Sequence, residues 1–332
     1  MPTMIPSKIA FLTEMGFEGK IPSNHPNART EFAWMHALNA NHFNIRNYTK
    51  VKDYDVVFLI LPKGEVYLNA VGVQMQDKVN PISDILSLSL TRELKSNNCK
   101  KVYYIQEGPT WLFNDYNIVD QINFYNQLGS FDGIFAHNEH DAKFYKGLFP
   151  GKKVEVIKSL LIEDLIKDIA PETEDKAIIG GNFAHWYGGF QSYMVAQSFE
   201  SPIWAQDSHC KRPNEDKLPN LNHFPRLIWI DWMKELSKFK YAVHLMPTIA
   251  AGTFSLNCAY FGIPCIGNEK VDTQRILFPE LSVDVEDVEK ARKLAARLKT
   301  DSDFYKTCSI FAKENYKTYY SLDKWKEEIN LK

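Results

Sequence analysis

Short apolar runs alternate with amphipathic segments along this chain, and this alternation constrains the fold more than any other feature. The run Asp55–Leu61 (DVVFLIL) is continuous, as expected of a parallel strand that is covered on both faces. Similar runs occupy Lys8–Thr13, Lys101–Gln106 and Gly133–His137. Segments with helical spacing of apolar residues follow them at Ala28–Ala40, Ile82–Leu94, Ile118–Leu128 and Glu139–Leu148. We therefore predict an α/β fold with a parallel, doubly wound sheet over residues 1–165.

The alternation restarts after a polar, acidic stretch that contains Pro171. We predict a linker at residues 166–176 and a second domain at residues 177–310. The predicted strands and helices there include Ala177–Gly180, Gln191–Ser198, Pro202–Ala205, Leu227–Trp229, Trp232–Lys238 and Tyr241–Leu245. Two tandem Rossmann-like domains bind ligands beyond the carboxyl ends of their strands, so we expect the site in an interdomain cleft.

The segment 243–268 contains the strongest single motif, because its pattern predicts a strand, a loop, a helix and a second strand. A helix is predicted at Ser255–Phe261, and Gly262 is expected to end it. The residues at its start are Gly252, Thr253, Phe254 and Ser255. Free backbone N–H groups and the helix dipole favour an anion such as phosphate there, and we expect Thr253 or Ser255 to cap the helix. An ordinary strand–helix–strand unit is the alternative.

Composition excludes several classes of protein. The chain has 332 residues, of which 45% are hydrophobic and 24% charged, as in a globular protein. No apolar run approaches the roughly 18 residues of a membrane span, and no secretory signal is apparent at the start, so we predict a cytoplasmic protein without integral membrane association. The formal net charge of −2 provides no strong basic field for nucleic acid. The five cysteines fit neither a disulfide framework nor a zinc site.

Several stretches resemble the GT-B glycosyltransferases, which transfer sugar from a nucleotide sugar and have two Rossmann-like domains. The stretches are FDGIFAHNEHDAKFYKGLFPGKKVEVIKSL, IIGGNFAHWYGG, AAGTFSLNCAYFGIPCIGN and SLDKWKEEI. The resemblance implies a hexosyl- or pentosyltransferase that needs no metal and no cofactor beyond its donor, which we expect to be UDP-linked. It also implies that the acceptor binds the N-terminal domain, that the donor binds the C-terminal domain, and that helices within residues 311–332 cross back to the N-terminal domain.

One departure from the family concerns the sugar. Many retaining members carry Glu-x7-Glu through the donor loop and helix, and these two positions fall on Ile249 and Asn257 here. Asn257 can still bind ribose hydroxyls, but without charge. The sugar and the stereochemical outcome are therefore open.

The acceptor is open as well. The stretches also resemble glycosyltransferases of large tailed phages, some of which modify hydroxymethylated bases, so modified double-stranded DNA is one candidate partner. A surface polysaccharide and a small metabolite are others. The alternatives to a glycosyltransferase are a GT-B nucleotide-sugar epimerase or hydrolase and a non-catalytic module that binds sugar or nucleic acid.

Residues that follow strands in the second domain form the predicted donor site. Glycines after a strand let the backbone approach a phosphate closely, and a nearby Lys–Arg pair can neutralise a diphosphate. The predicted donor-binding residues are Gly180, Gly181, Asn182, His185, Tyr187, Lys211, Arg212, Gly252, Thr253, Phe254, Ser255 and Asn257. A tight turn at the glycines and a solvated surface at the cations are the structural alternatives.

Glu107 is the candidate catalytic residue. It follows the strand Lys101–Gln106, where a doubly wound domain binds its ligands, and its carboxylate could accept the proton of the acceptor. Binding of an acceptor hydroxyl or capping of a helix are alternatives. The predicted acceptor-binding residues are Gly16, Phe17, Trp111, His137 and Asn138. No residues have the spacing of a metal site.

Lysines cluster near the end of the first domain, at Lys143, Lys146, Lys152, Lys153 and Lys158. A solvated helix face explains such a cluster, and a patch that binds the phosphate backbone of DNA is the functional alternative.

Overall fold

The computed structural model describes residues 8–14, 18–22, 25, 30–61, 83–181, 183–184, 186–207, 212–329 and 331. The chain divides into two compact units. Unit 1 comprises Met1–His25, Glu31–Lys158 and Lys326–Lys332, and unit 2 comprises Pro26–Thr30 and Ser159–Trp325. The domain boundaries that we derived from the sequence stay predictions.

Unit 1 is built on a seven-stranded sheet. Its strands are β1 Ile9–Thr13, β2 Gly19–Lys20, β3 Asn41–Asn44, β4 Val56–Leu59, β5 Lys101–Ile105, β6 Gly133–Ala136 and β7 Lys153–Val156. The spatial order is β2-β3-β1-β4-β5-β6-β7. All neighbouring strands are parallel except β2, which pairs antiparallel with β3. The predicted doubly wound sheet is confirmed, with an antiparallel edge strand that the sequence did not indicate.

Helices cover this sheet because each of them buries an apolar stripe. They are α1 Glu31–Ala37, α2 Ser83–Leu86, α3 Leu90–Ser96, α4 Ile118–Ser130 and α5 Glu139–Leu148. The single helix that we predicted at Ile82–Leu94 is wrong, because α2 and α3 are separate. The Gln127 amide of α4 donates to the carbonyls of Ile85 and Leu86, both at 3.3 Å, and also to that of Leu88, so it satisfies backbone groups at the interruption.

Unit 2 is built on a six-stranded sheet in which all neighbouring strands are parallel. Its strands are β8 Glu174–Ile179, β9 Ile203–Gln206, β10 Leu221–Phe224, β11 Phe239–His244, β12 Cys265–Asn268 and β13 Ser282–Val283, in the spatial order β10-β9-β8-β11-β12-β13. Its helices are α6 Gly189–Ala196, α7 Trp229–Leu236, α8 Thr253–Phe261, α9 Asp272–Leu277, α10 Val288–Thr300 and α11 Ser302–Tyr319. The last helix, α12 Leu322–Glu328, begins in unit 2, and its residues from Lys326 onward belong to unit 1. Because the strands are parallel, their carboxyl ends meet at one edge.

The predicted strand Leu227–Trp229 is wrong. Trp229 begins α7, where Trp229, Met233 and Leu236 are buried at helical spacing. The strand at this place is β10, which is short and has an exposed asparagine, so its apolar signal is weak.

Both ends of α8 are set by glycines. Gly262 ends the helix in the left-handed conformation with φ of 72°, which confirms the prediction. The N-cap is Gly252, with φ of 69°, so the expectation that Thr253 or Ser255 caps this helix is wrong.

Candidate functional site

The carboxyl ends of β8 and β11 lie side by side in unit 2. The N–H of Gly180 donates to the carbonyl of Val243 at 2.8 Å, and a Cβ atom at Gly180 would lie 2.6 Å from Cγ of His244. Gly181 has φ of 74°, and a Cβ atom there would lie 3.0 Å from Cβ of Tyr187. Only glycine fits this turn without displacing its neighbours. Because glycine has no side chain, a ligand can approach the backbone closely at this strand end.

Two helices begin at this edge with a glycine N-cap in the left-handed conformation. Gly188 precedes α6 and Gly252 precedes α8. A Cβ atom at Gly188 would lie 1.9 Å from the carbonyl oxygen of Leu245, and one at Gly252 would lie 1.8 Å from Oγ1 of Thr273. The start of α6 is therefore packed against the backbone of Leu245 and the start of α8 against the side chain of Thr273. A helix start favours an anion. Gly188 was not among the predicted site residues, although its place in a second glycine pair could have indicated it.

The first turn of α8 is fixed by hydroxyl groups. Oγ of Ser255 and Oγ1 of Thr273 lie 2.7 Å apart, and they lie 3.1 and 2.9 Å from the carbonyl oxygen of Gly252. The two hydroxyl protons are shared among these three contacts. The predicted donor residue Ser255 therefore uses its hydroxyl inside the protein. The backbone N–H groups of Thr253, Phe254 and Ser255 have no acceptor within the helix, and these are the groups that the turn offers to an anion.

Asn257 is buried on the same helix, behind the first turn. With its amide oxygen facing α7, it accepts from Nε1 of Trp232 at 3.1 Å and donates to the carbonyl of Thr253 at 3.2 Å. An amide can both donate and accept in this way, which a carboxylate cannot. The two contacts therefore account for asparagine at the position that matches the second glutamate of Glu-x7-Glu. Its predicted contact with ribose stays a prediction.

His244 at the end of β11 was missed by the sequence reasoning. It follows an apolar run, which is the signal that marked Glu107 and His137 and could have marked it too. Its ring meets that of Phe254 edge-on at 4.9 Å, and its buried Nε2 atom has no hydrogen-bond partner within the part of the chain that the structure describes. Burial lowers the pKa of His244 to about 4, so the imidazole is neutral at physiological pH.

We expect the His244→Phe variant to lose less unfolding free energy than the wild type when the pH falls from about 7 to about 5. The native pKa of about 4 lies below the usual value of 6.5, so the unfolded chain binds the proton first as the pH falls between these values. Between about pH 7 and about pH 5 this group costs the wild type about 2 kcal/mol of unfolding free energy. Urea unfolding at both pH values should show the His244→Phe variant losing less stability than the wild type.

Tyr241→Phe is the matched control for that experiment. Its hydroxyl is also buried on β11 without a partner within the described residues, but phenylalanine there replaces a phenol and leaves the imidazole of His244 in place. Equal acid sensitivity of wild type and His244→Phe would contradict the prediction.

Several predicted site residues lie outside the described residues, namely Gly16, Phe17, Asn182, His185 and Lys211. Arg212 is described and is exposed to solvent, in the segment that follows β9. Tyr187 is partly exposed and its N–H donates to the carbonyl of Ala184 at 2.9 Å.

In unit 1, a buried amide fixes the turn that carries Glu107. Nε2 of Gln106 donates to the carbonyl of Gly108 at 2.8 Å and to Oδ2 of Asp141 at 2.6 Å. Oε1 of Gln106 accepts from the backbone N–H of His137 at 3.0 Å. Gly108 has φ of 70°, which suits the turn. The carboxyl ends of β5 and β6 are thereby linked, and the partly exposed Glu107 is held on a rigid turn.

Asn138 has a structural role in the same network. Its Oδ1 accepts from the N–H of Asp141 at 2.8 Å, which caps α5, and its Nδ2 donates to Oδ2 of Asp141 at 3.0 Å. The amide is buried, so these bonds explain the residue without a ligand. The neighbouring His137 ring is partly exposed and lies 6.0 Å from that of Trp34. The acceptor contacts of both residues stay predictions.

The aromatic residues that follow Glu107 are mainly core. Phe113 stacks on Phe124 with ring centroids 3.8 Å apart, and Tyr116 meets Phe113 edge-on. All three are buried. Trp111 is 37% exposed, so this predicted acceptor residue has a surface available for stacking on a ligand.

Three of the five clustered lysines have partners within unit 1. Lys152 donates to the carbonyl of Phe131, Lys153 pairs with Glu155 at 3.5 Å, and Lys158 pairs with Glu328 at 2.5 Å. Lys143 and Lys146 lie on the exposed face of α5. The pairing favours the interpretation of a solvated surface over that of a dedicated phosphate-binding patch.

The described residues contain no group of three or more His, Cys, Asp or Glu side chains that could hold a metal ion. No helix within the same residues is long and apolar enough to cross a membrane.

Comparison with known proteins gives similarity in structure alone. No protein-family model matches the chain, and no curated protein sequence does either. Among solved structures, sucrose-phosphate synthase from Thermosynechococcus elongatus is similar, with a TM-score of 0.63, 10% identity and 96% of each chain covered. HepE from Anabaena, solved with UDP and glucose, has a TM-score of 0.63 and 9% identity over 97% of each chain.

A third similar structure is an alpha-glucosyltransferase in complex with UDP and a 13-mer DNA containing an HMU base. Its TM-score is 0.59 and its identity 13%, over 95% of this chain and 96% of that one. At such low identity these likenesses show the fold, and they confirm the predicted GT-B class with two Rossmann-like domains.

Proposed function

We propose that this protein is a glycosyltransferase that takes its sugar from a UDP-linked donor. The observation that carries the proposal is the edge of unit 2 where Gly180, Gly188 and Gly252 bring strand ends and two helix starts together. Oriented N–H groups at such an edge stabilise the negative charge that develops on a leaving diphosphate. Structures with the same fold contain UDP, which supports the choice of nucleotide.

The donor is assigned to residues 177–310 and the acceptor to residues 1–165. Within the donor region, the first turn of α8 binds a phosphate through its N–H groups, and Arg212 supplies positive charge. Within the acceptor region, Glu107 takes the proton of the acceptor hydroxyl and Trp111 stacks on the acceptor.

For the acceptor we propose a hydroxymethylated base in double-stranded DNA. The DNA bound to the similar alpha-glucosyltransferase supports this choice, as do the stretches that resemble phage enzymes. The base would have to leave the helical stack to reach a site at a strand end, because its hydroxyl is not accessible inside the duplex.

The proposal predicts release of UDP that depends on modified DNA. The protein is incubated with a panel of nucleotide sugars and a duplex that contains a 5-hydroxymethyl base. We expect UDP release and a gain of one sugar mass on that base. An unmodified duplex of the same sequence is the matched control. UDP release without any acceptor would instead indicate a hydrolase, and no release with or without the acceptor would indicate a non-catalytic module that binds sugar or nucleic acid.

We also propose that the reaction needs no divalent metal, because helix N–H groups and a guanidinium can neutralise a diphosphate. The same assay in excess EDTA is expected to give unchanged turnover. Full loss that one specific metal restores would contradict this.

A further inference from the structure

The turn that carries Arg212 is fastened to the sheet of unit 2 by a buried carboxylate. Oε2 of Glu215 accepts from the backbone N–H of Arg212 at 2.9 Å, and the N–H of Glu215 donates back to the carbonyl of Arg212 at 3.2 Å. Oε1 of Glu215 lies 2.8 Å from Nε2 of His223, which belongs to β10. Both oxygens of one carboxylate are thus engaged, one by the turn and the other by the sheet.

Burial makes this fastening strong. The side chains of Glu215 and His223 are 5% and 11% exposed, so solvent screens their interaction little. A carboxylate as buried as this is normally paired or hydrogen-bonded, because an unpaired one would cost several kcal/mol. Removal of Glu215 would therefore free the Arg212 backbone and leave His223 without its partner.

The same arrangement leaves the charge of Arg212 available. Glu215 is the carboxylate next to Arg212, yet it binds the backbone N–H rather than the guanidinium. The guanidinium is exposed, and it forms no ion pair with any residue that the structure describes. When an arginine whose backbone is already fixed binds an anion, it loses only side-chain freedom, so the backbone adds little to the entropic cost of binding.

We propose that the Glu215–His223 pair is a positioning device that holds Arg212 in place to bind the diphosphate of the nucleotide donor. This inference rests on the proposed function, because it takes the anion to be the donor. Glu215 touches no ligand itself and acts through the Arg212 backbone.

A double-mutant cycle with UDP as the probe tests the proposal. Calorimetry should show that Arg212→Ala weakens UDP binding by about tenfold, the scale of a lost charge-assisted hydrogen bond. Glu215→Ala should weaken it by about fivefold to tenfold. In the Arg212→Ala background, Glu215→Ala should have no further effect, because Glu215 acts only through the arginine. Glu215→Gln keeps an oxygen for the Arg212 N–H and should bind UDP within about twofold of the wild type.

Glu235→Ala is the control for loss of a carboxylate elsewhere in unit 2, since Glu235 pairs with Lys176 and Lys238 instead. It should leave UDP affinity unchanged. Amide exchange at Arg212 gives a readout without ligand, and it should quicken in Glu215→Ala and stay slow in Glu215→Gln. An equal effect of Glu215→Ala in both backgrounds, or none while Arg212→Ala weakens binding, would overturn the inference and leave the proposed function standing. A wild type that binds no UDP would overturn both.

Discussion

Glu107→Gln is expected to lower turnover by roughly 10²–10⁴-fold, the usual span for a single general base, with UDP affinity unchanged. Glutamine keeps the shape and the hydrogen-bonding reach of glutamate but cannot take a proton at physiological pH. Because the Gln106 amide bonds to Gly108 and His137 and so holds the turn, the substitution should leave the local backbone intact.

Steady-state kinetics with separate titration of donor and acceptor measures this effect. Glu155→Gln is the matched control, because Glu155 lies in the same unit on β7 and pairs with Lys153. A small loss of kcat/KM that comes only from a higher acceptor KM would assign Glu107 to acceptor binding, and the leaving phosphate would then take the proton. Wild-type kcat and KM would remove Glu107 from the site.

The fold could be predicted because parallel strands that are covered on both faces leave a strong apolar signal. The runs that became β1, β4, β5 and β6 are buried throughout, apart from Lys101 at the start of β5. The failures come from elements without that signal. The polar strand β3 (NHFN) is stabilised by its pairing with β1. Its buried His42 is satisfied by a hydrogen bond of 2.7 Å between Nε2 and Oγ1 of Thr13. Only the tertiary context specifies such a strand.

The site could be predicted only in part, because its geometry depends on pairs that are distant in sequence. The glycine turn and the start of α8 could be identified from local patterns. The contacts that shape them could not, since Gly252 meets Thr273 and Gly180 meets His244 across loops of no fixed length. The Glu215–His223 pair has no spacing that is typical of a motif. It could be predicted only by someone who already knew that residues 221–224 form the strand β10.

Gly252→Ala is expected to weaken UDP binding by at least about tenfold and to lower the unfolding free energy by about 2–4 kcal/mol. Gly252 has φ of 69°, where an L-residue costs about 1 kcal/mol. Its Cβ atom would also lie 1.8 Å from Oγ1 of Thr273, and relieving such an overlap costs about 1–3 kcal/mol more. Displacement of Thr273 would break the hydroxyl contacts that fix the first turn of α8. The N–H groups of that turn would then no longer point at the phosphate.

Gly262→Ala separates the two effects, because Gly262 is the left-handed glycine at the other end of the same helix, with φ of 72°. Its added Cβ would lie 2.5 Å from Cε of Lys313 and 2.8 Å from Oγ of Ser309, so we expect a loss of stability comparable to that of Gly252→Ala, while the start of α8 stays intact. Calorimetry with UDP and urea unfolding on both variants should show binding lost in Gly252→Ala alone. Equal UDP affinity in the two variants would mean that the start of α8 does not hold the donor, and the anion site would then have to lie at Gly180 or at the start of α6.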